Sequence, residues 1–298
     1  MSDIIEIDPT VDFACKLVIG NPELPELTIH FLNSVLMPAV PIKSVEILNP
    51  INDREFESDK LSILDIRATD QLERIFNIEI QRTSPDGLTK RLTYYAALNF
   101  VDQLSDGQGY HLLRPSITIC ILTVVLFNAK DRPAVDHSFR LRTKDGFEFT
   151  DGLEIHTLEL PKYLSSGDNS RYRTQLEQWI YFFLNAKGSS AEQLRRELVD
   201  SIFDKAIGVL EMIQRTPDKR RQYDDRLKLE RDEQARLLAA TAEGKAEGKA
   251  EEKINTIRMV QELLQIEPTP IDELQSLPAE LLDVRISELQ SQLRRRIV

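Results

Sequence analysis

The chain has 298 residues, of which 41% are hydrophobic and 29% charged, an ordinary composition for a folded protein with a sizeable core. A formal net charge of -11 argues against a simple basic nucleic-acid-binding module, whose affinity rests on phosphate neutralisation. It does not argue against a protein whose carboxylates hold cations. The cysteines Cys15 and Cys120 form no CxxC or Cys/His cluster. They suggest neither a zinc site nor a disulfide framework, and a reducing compartment fits best.

The N-terminus carries acids where a secretory segment would carry a basic start and an apolar run. Residues 10–37 have helical spacing: Asp8, Pro9 and Thr10 supply capping residues, Val11, Ala14, Cys15 and Val18 an apolar stripe. Pro22 and Pro25 restart the chain before a second stripe through Leu27, Phe31, Leu32 and Val35. Residues 61–67 have strand composition. Residues 74–81 alternate, with Phe76, Ile78 and Ile80 on one face and Asn77, Glu79 and Gln81 on the other. The polar link 69–73 would make the two a hairpin.

Residues 88–105 return to helical spacing. Residues 115–127 are rich in β-branched residues and read as a buried central strand, being too short to span a bilayer as a helix. Residues 138–142 and 153–160 suggest strands at the sheet's margin. From about residue 168 the pattern is helical, anchored by Trp179, Phe182 and Phe183. Residues 242–253 repeat Ala-Glu-Gly-Lys, which places like charges at i and i+4 and adds glycines, so a flexible or weakly helical linker is expected. Ile257, Val260, Leu263 and Leu264 then form a short amphipathic helix, and residues 274–297 another helical segment.

Asp65 interrupts an apolar strand, and Glu79 lies in the next one. A carboxylate inside a sheet is costly unless paired, solvated or bound to metal. If the strands are neighbours, both acids can converge on one hard cation, which takes oxygen ligands and keeps several waters. On spacing alone the blander alternative prevails: Glu79 and Gln81 as the solvated face of an edge strand. His30, His111, His137 and His156 are dispersed and read as structural. Between Arg82 and Arg142 eight basic residues outnumber five acids, a local charge of +3.

Several stretches together resemble the Rpn family of recombination-promoting nucleases, often labelled transposases, within the PD-(D/E)XK nuclease superfamily. They are Asp12-Phe-Ala-Cys-Lys16 with Gly20, Phe31-Leu-Asn33 with Leu36, residues 60–66, Asn77-Ile-Glu-Ile-Gln81, Arg91 with Tyr94 and Tyr95, Gly109-Tyr110 with Pro115, and residues 156–162. The blocks keep the family's order over about half the chain, residues 12–160, and the glycine-lysine repeat is also typical. Cys15 and Ile19 stand where aromatic residues are common, Glu73 where glycine is usual, and Gln81 where many superfamily members carry lysine.

The resemblance implies an α/β fold with an αβββαβ restriction-endonuclease-like core, a mixed sheet flanked by helices, and a helical C-terminal extension. The expected division is a nuclease core over residues 1–165, a helical extension over 166–240, a linker over 241–254 and a helical tail over 255–298. It implies metal ligation by Asp65 and Glu79, with the Ile80 carbonyl as third ligand and Asp12 as an outer ligand, although capping is as good a role for Asp12. Gln81 would orient water or phosphate. Lys16, Lys90 and Arg91 are candidate DNA contacts, each with a plain surface role beside it.

The function expected is a Mg²⁺-dependent endonuclease (Mn²⁺ or Ca²⁺ as alternatives) hydrolysing double-stranded DNA in recombination or mobile-element activity in a bacterium. A homodimer would serve double-strand cleavage. A cytoplasmic location without membrane contact is expected. The rival is a catalytically decayed nuclease fold that binds DNA or protein.

Overall fold

The computed structural model describes residues 4–48, 66–165 and 173–297. The helices α1 (Asp12–Ile19) and α2 (Pro25–Leu36) open the chain, with Pro25 at the start of α2, where a missing N–H costs nothing. Three strands follow, β1 (Val45–Ile47), β2 (Ile66–Asp70) and β3 (Ile75–Gln81), and then α3 (Leu88–Val101). Next come β4 (Ser116–Leu122), β5 (Asp136–Arg140), β6 (Leu153–Glu159) and the short α4 (Leu160–Ser165). The helices α5 (Gln175–Asn185), α6 (Ala191–Glu197), α7 (Ile202–Arg215), α8 (Pro217–Leu263), α9 (Ile271–Gln275) and α10 (Ala279–Ile297) complete the chain.

The strands form one mixed sheet in the order β1-β2-β3-β4-β6-β5. The β1–β2 and β2–β3 pairs are antiparallel, β3–β4 and β4–β6 parallel, and β5–β6 antiparallel. All seven residues of β4 are buried. Ile117, Ile119 and Ile121 enter the main core with Phe13, Phe31, Phe76, Ile78 and Trp179. Cys120 and Leu122 pack on the other face under Leu88 and Leu92 of α3. Helices thus cover both faces, and a strand buried twice reads as an unbroken apolar run.

The sheet corrects several expectations. The strand β3 lies between β2 and β4, so Glu79 and Gln81 do not form the solvated face of an edge strand. The strand β6 is interior, because β5 folds back along it and takes the margin. The strand β2 runs to Asp70, into the expected link, and the Asp70 side chain builds the turn: Oδ1 accepts from the amides of Leu72 and Arg74, both at 3.0 Å, and Oδ2 from Arg74 Nε at 2.8 Å. Glu73, where the family favours glycine, adopts φ 59°, a left-handed conformation that an L side chain resists.

The strand β1, three residues long, carries too little pattern to announce itself. The helix α3 ends at Val101, short of residue 105, and β4 ends at Leu122, short of Phe127.

Residues 4–228 belong to one compact unit and residues 229–297 to a second. The Gly/Lys/Glu stretch expected as a linker lies inside α8. Alanine, glutamate and lysine are strong helix formers, and their summed preference exceeds the cost of Gly244 and Gly248, about 1 kcal/mol each. In the second unit Ile254, Ile257, Val260 and Leu264 pack with Leu274, Leu282 and Leu289. There Gln261 is buried and holds the bend after α8 through Thr269: it donates from Nε2 to Oγ1 at 2.8 Å and accepts from the backbone amide at 3.1 Å.

Candidate active site

The expected site falls at the end of β3. Glu79 is 5% exposed, and Gln81 Nε2 donates to its Oε2 at 3.2 Å. Period-two geometry gives Asn77, Glu79 and Gln81 one face of the sheet, the face covered by α3. Across the register Glu79 neighbours Cys120, which neighbours Thr157, which neighbours His137. The next row on this face joins Gln81, Leu122 and Glu159.

Asp65 lies outside the described residues. Ile66, immediately after it, pairs with Ile78, immediately before Glu79. The Gln81 carbonyl accepts from the Thr123 amide at 3.0 Å on the β4 side. Since successive residues of a strand direct their peptide groups to opposite neighbours, the Ile80 carbonyl is directed to the β2 side. Among the described residues no group of three His, Cys, Asp or Glu side chains could hold a metal ion. The donors that are described, a buried carboxylate and a backbone carbonyl, are hard oxygens. They fit a divalent cation that keeps several waters and takes a further ligand nearby.

Asp12 is committed elsewhere in part. Its Oδ2 accepts from Arg226 Nε at 2.7 Å, with Nη2 also at 2.7 Å, and its Oδ1 accepts from the Phe13 amide at 2.6 Å. Arg226 is itself buried. One turn earlier on α8, the Tyr223 hydroxyl accepts from the Asp8 amide at 2.9 Å, and burial pushes the Tyr223 phenol pKa up. Asp8 lies 3.6 Å from Arg82, the residue after Gln81. The start of α1, the end of β3 and one face of α8 therefore meet. Lys16 is 1% exposed, so its side chain is enclosed in the fold. Lys90 is exposed and Arg91 partly buried on α3.

Sequence reasoning missed Arg226 and the clamp beside the site. Glu159 is fully buried, and its Oε2 accepts from the amides of Leu126 at 2.7 Å and Phe127 at 3.1 Å. Lys162 Nζ donates to Glu159 Oε1 and to the Arg132 carbonyl, both at 2.7 Å. These contacts hold the chain that follows β4, which ends at Leu122. Both residues lay in the stretch 156–162 that carries the resemblance, and their i,i+3 spacing at a strand-to-helix junction was the available signal.

At the far margin Glu154 Oε1 takes Arg140 Nη2 at 2.6 Å, His156 Nε2 at 2.7 Å and Ser138 Oγ at 3.0 Å. Burial alone would raise the Glu154 carboxyl, but the His156 and Arg140 bonds together outweigh it and bring the pKa down to about 2.

Residues 9–240 match the family described as PD-(D/E)XK nuclease family transposase. The match covers well over half of the chain, which therefore belongs to that family. Nucleases of this class generally use divalent metals. No curated protein and no solved structure matches the chain significantly. Among the described residues no helix is long and apolar enough to cross a membrane.

Proposed function

We propose that this chain is a metal-dependent endonuclease that hydrolyses double-stranded DNA, with Asp65, Glu79 and the Ile80 carbonyl holding the ion and Gln81 beside them. One observation carries the reading: a carboxylate buried in the centre of a sheet, bonded by the residue two positions on. In sequence Asp65 directly precedes Ile66, the register partner of Ile78, and Glu79 directly follows Ile78. Mg²⁺ is the ion proposed. Bound there, it would supply charge to a phosphodiester oxygen and acidify a water.

Glu79 keeps its carboxylate oriented through Gln81, whose amide has a second hydrogen and an oxygen with which to align a water or a phosphate oxygen. A role in recombination or mobile-element activity, a cytoplasmic location and a homodimer complete the proposal. The decayed-fold rival draws on two observations: Gln81 carries no charge, and Asp12 is engaged by Arg226.

A plasmid-nicking assay in Mg²⁺, Mn²⁺ or Ca²⁺ separates the two. Wild type is expected to nick, while Asp65→Ala and Glu79→Ala are not. Equal cutting by all three proteins, or by none, would sink the hydrolytic assignment.

A further inference from the structure

The geometry points to Arg91 as the residue that contacts the scissile phosphate and supplies the positive charge missing at Gln81; this rests on the nuclease reading above. Three placements lead there. The first is height along the sheet. Leu88 and Leu92 pack on Cys120 and Leu122, and these are the register partners of Glu79 and Gln81. Further along the helix, the Ala96 carbonyl accepts from Ser116 Oγ at 3.1 Å, at the opposite end of β4. The helix α3 therefore runs antiparallel to β4, with its first turn level with the candidate site.

The second placement is the flank. A Cβ at Gly152, just before β6, would lie 3.0 Å from the Phe100 ring, so the Phe100 side of α3 overlies β6. At 100° per residue Arg91 falls on the opposite flank from Phe100, about 100° from the Leu88–Leu92–Ala96 stripe that faces the sheet. That flank is the β3 side, where Glu79 and Gln81 stand.

The third is chemical. Arg91 Nε is enclosed by protein and has no hydrogen-bond acceptor among the described residues. An enclosed guanidinium nitrogen without an acceptor is costly. Most other described arginines of the first unit are matched to carboxylates, as Arg74 is to Asp70, Arg140 to Glu154 and Arg226 to Asp12. A phosphodiester gives the guanidinium two oxygens in the fork geometry it favours. Lys90 beside it is exposed and suits an ordinary backbone phosphate.

The test uses the full chain. Binding to a short DNA duplex is measured without divalent metal over a range of KCl concentrations, and single-turnover cleavage with Mg²⁺. Arg91→Ala is expected to flatten the slope of log K against log salt by about one unit and to slow cleavage on the order of 100-fold. Added guanidinium should restore part of the rate. Arg91→Lys is expected to keep the wild-type salt slope yet cleave about 10-fold slower, having charge without the fork.

An unchanged slope in Arg91→Ala, or a rate within twofold of wild type, overturns the assignment. If the alanine variant fails to fold, wild-type cleavage by Arg91→Lys overturns it instead. Should wild type bind with the Arg91-dependent slope but never cleave, the phosphate contact stands and the nuclease reading falls.

Discussion

Replacing Lys162 by methionine isolates the clamp next to the candidate site. The side chains of Lys162 and Glu159 are 1% and 0% exposed. Methionine roughly preserves volume and removes two charge-assisted bonds of 2.7 Å, one to Glu159 and one to the Arg132 carbonyl. Glu159 would keep the Leu126 and Phe127 amides, with His137 Nδ1 3.7 Å from its Oε1. Breaking one side of a buried pair typically costs about 3–5 kcal/mol, because the remaining charge stays enclosed. With an m-value of about 3 kcal/mol per molar urea, the midpoint should fall by about 1–1.7 M.

Equilibrium urea unfolding followed by tryptophan fluorescence reads this directly through Trp179, which is fully buried in the first unit. The double variant Glu159→Gln, Lys162→Met removes the stranded charge and should lose less than Lys162→Met alone. Hydrogen exchange at residues 124–135 should quicken in the single variant, since both ends of that segment hang on the pair. A loss below about 1 kcal/mol, or a double variant weaker than the single one, would refute the claim that the stranded carboxylate dominates the cost.

Gly20→Ala should destabilise by about 1–3 kcal/mol through overpacking, read as a lower thermal midpoint. Its Cβ would meet Ile66 Cγ1 at 2.9 Å, and Ile66 Cγ2 and the Lys16 carbonyl at 3.0 Å. The displaced residue adjoins Asp65, so nicking should also weaken. For Glu154, whose pKa is lowered from 4.5 to about 2, stability from the charged form is complete above pH 4.5 and is lost as pH falls toward 2. Glu154→Gln should therefore trail wild type by about 2 kcal/mol at neutral pH, after allowance for solvent screening at the sheet margin. The gap should close on acidification, and one that widens would contradict the sign.

Strand alternation was legible where one face meets the core: residues 74–81 displayed it, and β3 follows it. The same pattern could not say whether the polar face meets water or α3, because alternation records two faces and not what covers them. Burial of Glu79 depends on Leu88 and Leu92 bringing α3 across β4, a contact made after a turn with no periodic signature. The resemblance supplied the order of elements and the residue types at Glu79 and Gln81. It did not supply Arg226, which lies 214 residues beyond its partner Asp12, nor the Arg91 flank, which depends on Phe100 crossing Gly152. Of the flexible or weakly helical linker expected at the glycine repeat, the helical alternative matches α8, where the summed helix preference of the neighbours exceeds the cost of the glycines.

The bonds from α8 to the first residues of the chain also constrain the timing of assembly. Asp8 with Tyr223, Asp12 with Arg226 and Glu6 with Arg220 each join positions more than 200 residues apart. Closing so long a span must await most of the polypeptide. A ribosome that has delivered the whole sheet, through Glu159, still has nearly 70 residues to add to complete Arg226, several seconds at the usual pace of synthesis. The beginning of the first helix is thus secured last, and a nascent or truncated product lacking residues 220–226 would leave that end untethered.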